Sequence, residues 1–312
     1  MIDRVSSNGQ MQYLLSQIMQ ASAALNKTQA QVASGKVSSD YAGIGSKTAM
    51  LEAARSASAR ADAYQSATQL ALTQVDQQDT QLTSISGLAD QLRQAITQAV
   101  ADNDGSTLMT TASGIFDQLK QILNTQDPNG NYIYGGNNDN VPPVSINSIS
   151  DLTSLSSASD AFANGSVARS VVVADGETVK IGVLASDAGQ QLMQTLKSIA
   201  DFNAGSSGNF GSTLSGAQSD FLTGQIQSAT AAGRSVNDLA AANGNAYAQL
   251  QDASGRQQSL STLYKGFTSD LEDVDMGEAI TRLNQNQVAL QAALQVTSKL
   301  SQISLLNYLP NS

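Results

Sequence analysis

Apolar residues near the start of the chain recur with the spacing of a helix that packs against another helix. Met11, Ile18, Leu25 and Val32 fall seven apart, and Leu14, Ala21 and Thr28 interleave with them at three- and four-residue steps. That is the pattern of a coiled-coil seam. Gly35 closes the run as a C-cap glycine, and Ser38-Ser39-Asp40 reads as a turn.

A second run starts near Ser46. Ala54, Ala61, Thr68, Val75, Leu82, Ala89 and Ile96 carry one register of a heptad, and Ala57, Tyr64, Ala71, Gln78, Ile85, Leu92 and Ala99 carry the other. Only Thr68 and Gln78 are polar, so the spacing predicts one helix of about fifty residues packed through small side chains. Asp102-Asn103-Asp104-Gly105 breaks it, and Leu108, Ile115, Leu119 and Ile122 predict a shorter helix over 107–125.

The pattern changes at Asp127-Pro128-Asn129-Gly130, a turn signal followed by Tyr132-Ile133-Tyr134 and Gly135-Gly136. A β-hairpin is expected near 130–136. After Pro142-Pro143, β-type runs at 167–173 and 178–184 meet across Ala174-Asp175-Gly176-Glu177. Helical spacing returns over 187–203 through Leu192, Leu196 and Ile199. From about Leu214 it continues almost to the end through Met276, Ile280, Leu283, Leu290 and Leu294. Proline occurs only at 128, 142, 143 and 310, which leaves both flanks free for long helices.

The expected fold is therefore mainly α, a long antiparallel helical coiled coil or bundle formed by both chain ends, with a small β-rich domain inserted mid-chain. Three parts are expected: residues 1–45 with 276–312 as a terminal coiled coil, 46–139 with 187–275 as a helical rod, and 140–186 as an outer β-rich segment.

Charge alters the meaning of the seams. Residues 1–46 hold few charged side chains, and after Glu278 only Arg282 and Lys299 remain. A helix facing water carries more charge than that. Seam residues Met11, Leu14, Ile18, Leu25, Val32, Ile280, Leu283, Leu290 and Leu294 are thus candidate contacts between subunits or with partners. One seam recovers too little apolar burial to order a long terminal segment. Residues 1–34 and about the last thirty are expected to order only when copies pack together.

The chain has no His and no Cys, which excludes the Ser/His/Asp and Cys/His nucleophile systems and the common zinc ligand sets. No catalytic residue, cofactor or metal ligand is assigned. A net charge of −10 disfavours nucleic acid and anionic membranes. No apolar run resembles a cleaved secretory signal or a membrane span.

Weaker motifs have plainer explanations. Gly43 to Thr48 lacks the spacing of a phosphate loop. Asp127, Asn129 and Asn131 match the first ligands of a calcium loop, but Tyr132 and Asn138 stand where Gly and Glu are required. The acidic run Asp270, Glu272, Asp273, Asp275 reads as a solvated face.

Several segments resemble the flagellin superfamily, and within it the hook-associated junction proteins. Ser34-Gly35-Lys36 with Asp40 is similar to the stretch after the first helix of that superfamily, although Asp40-Tyr41-Ala42-Gly43 departs from the usual Asp-Asp pattern. Asn129 to Gly136 with Pro142-Pro143 resembles a Gly-x-Tyr-Ile-Phe-x-Gly segment with a downstream Pro. Asp273 to Ile280 and the ending Ser304-Leu305-Leu306-Asn307-Tyr308-Leu309 resemble the C-terminal helix.

The resemblance implies a structural, non-enzymatic protein of the bacterial flagellum, exported intact by the flagellar type III apparatus and placed outside the cell at the hook–filament junction. Implied partners are copies of itself in a ring, the hook-side hook-associated protein, flagellin, and an export chaperone. The chaperone and assembly contacts map onto Leu300, Ile303, Leu305, Leu306, Tyr308 and Leu309. A flagellin-type filament subunit is the alternative, followed by a secreted glycan-binding protein.

Overall fold

Long proline-free stretches become long helices. The computed structural model describes residues 2–306, in which α1 (Ile2–Ser34), α2 (Tyr41–Ile44), α3 (Thr48–Asp102), α4 (Leu108–Leu123), α5 (Ile149–Ser154), strands β1 (Ser170–Ala174) and β2 (Glu177–Lys180), α6 (Ala185–Ala204), α7 (Gly216–Glu272) and α8 (Met276–Leu306) follow in order. Short 3-10 turns cover Gly45–Lys47 and Ala158–Ala161. The two strands form an antiparallel hairpin, with Val171 opposite Val179. The fold is mainly α, as the periodicity predicts.

The chain divides into two compact units, residues 61–259 and residues 2–60 with 260–306. Helices α3 and α7 contribute residues to both.

Within 61–259, the heptad positions of α3 do what their spacing requires. Ala61, Thr68, Val75, Leu82, Ala89 and Ile96 are all buried, as are Ala71, Gln78, Ile85, Leu92 and Ala99. From Leu82 onward they join Leu108, Ile115, Phe116, Leu119 and Leu123 of α4, Leu192, Leu196 and Ile199 of α6, and Leu222 and Val236 of α7 in one core. A second, smaller core forms where the hairpin lies against the helices: Val173, Val179 and Ile181 pack on Ala71, Leu72, Val75, Ala246, Leu250 and Ala253. Small alanines on both helices let the hairpin approach closely. Gln257 Nε2 donates to the Val173 carbonyl at 3.0 Å, and Tyr64 and Arg256 hold Asp175 and Glu177 at the turn. On α3, Gln78 lies between the two cores and is fully buried.

The segment after α4 folds tightly for local reasons. Asp127 Oδ1 accepts the backbone N–H groups of Asn129 and Asn131 at 2.9 and 3.0 Å, and Arg169 bridges Asp127 and Asp139. Burial raises the Asp127 pKa, but these donors outweigh it and hold the carboxyl below its ordinary value. The sequence pattern that resembles calcium ligands is thus a carboxylate capping its own turn. Instead of a regular hairpin, 126–132 closes through a single Gln126–Tyr132 bridge. Ile133 and Tyr134 then enter the core. A Cβ on Gly135 would sit 2.7 Å from the Asp139 Cα, and Gly136 has φ +63° with the Val167 carbonyl 2.7 Å from where its Cβ would be. Both positions require glycine.

Candidate assembly interface

In the unit built from both chain ends, α1 and α8 pack along each other. The pairing uses one stripe of each helix. Leu14, Ile18, Leu25 and Val32 on α1 and Leu283 and Leu290 on α8 are half-buried, whereas Met11, Ile280 and Leu294 are exposed. Six of the nine expected seam residues are thus partly covered and three are exposed. Leu300, Ile303, Leu305 and Leu306 lie in the last turns of α8, where side chains fall outside the described residues, as do Tyr308 and Leu309 altogether.

The pairing is thin. Among the described side chains of α1 only Thr28 is buried, and among those of α8 only Ala279. Thr28 donates to the Ala24 carbonyl at 2.7 Å, and Asn286 Nδ2 donates to Thr28 Oγ1 at 2.8 Å. Asn286 stands three residues after Leu283 and four before Leu290, so the helical period already placed it in the seam; its polarity hid it.

Each helix also carries exposed apolar side chains, some beside that seam and some on other faces. On α1, Met11, Leu15 and Met19 recur at four-residue steps, with Leu15 56% and Met19 59% exposed. On α8, Ile280, Val288, Leu294 and Val296 are exposed, Val288 by 65%. Charge on these helices is sparse, and Arg282 pairs with Glu278 on the same helix at 2.9 Å.

Where the helices break, the two chain ends are tied. Gly35, at φ +71°, ends α1. Val37 N–H donates to the Glu272 carbonyl at 2.7 Å, and Val274 N–H to the Gly35 carbonyl at 2.9 Å. The Glu272 carboxylate receives Lys36 Nζ at 2.7 Å and the Arg55 guanidinium. Sequence reading had placed Glu272 in a solvated acidic face, but its side chain is only 6% exposed. One acidic residue in a run of four gives no sequence signal of burial.

Among the described residues no group of three or more His, Cys, Asp or Glu side chains could hold a metal, and no helix is long and apolar enough to cross a membrane.

The helical ends that form this interface match two family models, the bacterial flagellin N-terminal helical region over residues 5–139 and the bacterial flagellin C-terminal helical region over residues 226–309. Together these span well over half of the chain. The chain belongs to the flagellin superfamily.

As a flagellin-superfamily member it is a structural protein of the bacterial flagellum. Its fold is shared by a Vibrio parahaemolyticus structure assigned as a flagellar hook-associated protein, at 17% identity and a TM-score of 0.59, over 72% of this chain and 97% of that one. Bacillus cereus FlgL is also similar, at 14% identity and a TM-score of 0.48, over 72% of this chain and 98% of that one. No curated protein sequence matches the chain.

Proposed function

We propose that this protein is a junction adaptor of the flagellum, joining the hook, through a hook-side hook-associated protein, to the flagellin filament. One observation carries the reading: α1 and α8 pack on each other and still leave large apolar side chains of both helices exposed. Exposed Leu15, Met19, Val288 and Leu294 are costly in water, and a patch of this kind marks a contact surface. Neighbouring copies that cover it would close a ring and order both helices at once.

Membership of the flagellin superfamily supports the structural role, and the buried Tyr134, Gly135 and Gly136 segment supports the likeness to junction proteins seen in the sequence. Before assembly the same side chains would favour aggregation. Export in an unfolded state, with a chaperone on Leu300, Ile303, Leu305, Leu306, Tyr308 and Leu309, removes that hazard.

Labelling the protein on intact flagella tests the assignment. A single band at the hook end is the expected result. Label along the whole length would make the protein a filament subunit instead. Leu290→Asp, which places a charge in the seam, should abolish stable filament attachment, and normal attachment would contradict the role given to these helices.

A further inference from the structure

Glu272 is the last residue of α7, where the helix C-terminus already carries partial negative charge. A carboxylate there would ordinarily turn to water. Here it is 6% exposed, while the two cations that reach it, Lys36 and Arg55, are 44% and 40% exposed. Those cations come from different places: Lys36 from the connector that follows α1, Arg55 from the second turn of α3. Arg55 also contacts Glu52 at 3.1 Å and the Tyr41 hydroxyl at 3.2 Å, and Tyr41 donates to Glu52 at 2.7 Å. The network thus reaches the α1–α2 connector, α2, α3 and the end of α7.

Both helix breaks of this unit meet at the same point. Residues 35–40 follow α1, residues 273–275 precede α8, and Lys36 and Asp273 face each other as an antiparallel bridge. Two backbone hydrogen bonds close that bridge, Val37 to Glu272 and Val274 to Gly35. Gln31 Nε2 adds a third tie to the Val37 carbonyl at 2.8 Å. The paired helices α1 and α8 therefore join the adjoining turns of α3 and α7 through two short strands of backbone and one buried charge.

We propose that Glu272 is the electrostatic latch of a mechanical joint. With Lys36 and Arg55 engaged, the two breaks are locked together and the α1–α8 pair is held to α3 and α7. With the carboxylate released, the two-bond bridge is left to hold alone, opens more often and frees the terminal helices from α3 and α7. A buried carboxylate that loses its cations is strongly disfavoured, so the engaged joint is the resting state. Because both cations are partly exposed, salt weakens the latch. A subunit held between parts of different stiffness would use such a joint, and in that use the inference rests on the adaptor reading above; the latch itself is a property of the single chain.

Amide hydrogen exchange on the full-length monomer tests it, read at Val37 and Val274, with Leu51 in α3 as the reference. Glu272→Gln should speed exchange at both valines at least tenfold and leave Leu51 unchanged. Raising salt from about 0.05 to about 1 M should speed the wild-type valines and have little effect on the variant. Unchanged valines in the variant would overturn the latch. So would equal acceleration at Leu51, which would make Glu272 a general stabiliser of the unit. Since no assembly is involved, either failure leaves the labelling test of the adaptor role untouched, and a filament-wide label leaves the latch untouched.

Discussion

Asn286 Nδ2 donates to Thr28 Oγ1 at 2.8 Å across the α1–α8 seam, and Thr28 is the one buried side chain described on α1. A polar pair inside an apolar seam contributes less to stability than leucines would, but it is satisfied only in one register. Asn286 also lies 3.3 Å from the Ala24 carbonyl, so a shift of one turn would strand it.

The pair is therefore expected to fix how the two helices align. Asn286→Ala removes the hydrogen bonds to Thr28 Oγ1 and, more weakly, to the Ala24 carbonyl, a net loss of about 0.5–1.5 kcal/mol. In assembled particles this should speed amide exchange at residues 24–28 by roughly 2- to 12-fold. No change there would show that the seam is aligned by its apolar residues alone.

The exposed apolar side chains of α1 and α8 are expected to serve assembly and not the fold of a single chain. Leu294 is 49% exposed, so Leu294→Asp should leave the melting temperature of the monomer within about 1 °C, because surface substitutions seldom exceed about 0.5 kcal/mol. Incorporation into flagella should nevertheless fall at least tenfold. A melting temperature lowered together with assembly would place Leu294 in the monomer's own packing.

Tyr134 is fully buried, and its hydroxyl has no hydrogen-bond partner among the described residues. It stands where the related motif carries Phe. Burial raises the phenol pKa well above its ordinary value of 10.0, so the neutral form is the one the fold tolerates. A raised folded pKa leaves stability intact below pH 10 and removes it as the pH climbs past that value. Tyr134→Phe should flatten this alkaline loss. Relieving the unmatched hydroxyl, about 1–3 kcal/mol, should also raise the melting temperature by roughly 2–8 °C. An alkaline transition that persists in the variant would assign it to other groups.

Gln78 presents the same problem inside α3, with both amide atoms buried and without partners. Gln78→Met keeps the side-chain length and removes the unmet polar groups. The urea midpoint for unfolding of residues 61–259 should rise, by a margin matching about 1–3 kcal/mol. A drop would show that the amide is satisfied through contacts such as internal water.

How much of this was legible beforehand follows from what each residue type can signal. Helix positions came from spacing, and α3 is the clearest case: of its fourteen heptad positions only Ala57 and Tyr64 fall short of burial. Thr28 and Gln78 are polar residues at seam positions; in the structure one is hydrogen-bonded across the seam and the other is a buried amide without a partner among the described residues. The docking of Val173 and Val179 onto α3 and α7 could not be read, because alternation in a short strand shows a buried face without naming what covers it. Glu272 was misjudged for a similar reason. Its burial depends on Lys36, 236 residues away in sequence, and on Arg55, 217 away. The seam residues were visible, but which of them face each other and which face outward was decided only by the pairing itself.

The central claim is that the paired terminal helices carry more apolar surface than one chain can cover, so that they become firmly ordered among neighbours. Amide hydrogen exchange measured on the monomer and on assembled particles addresses it directly. The account predicts that in the monomer residues 9–34 and 283–299 exchange at least a hundredfold faster than Leu92 and Leu119 of the core, and that this gap closes on assembly. Protection of those helices in the monomer equal to that of Leu92 would contradict it.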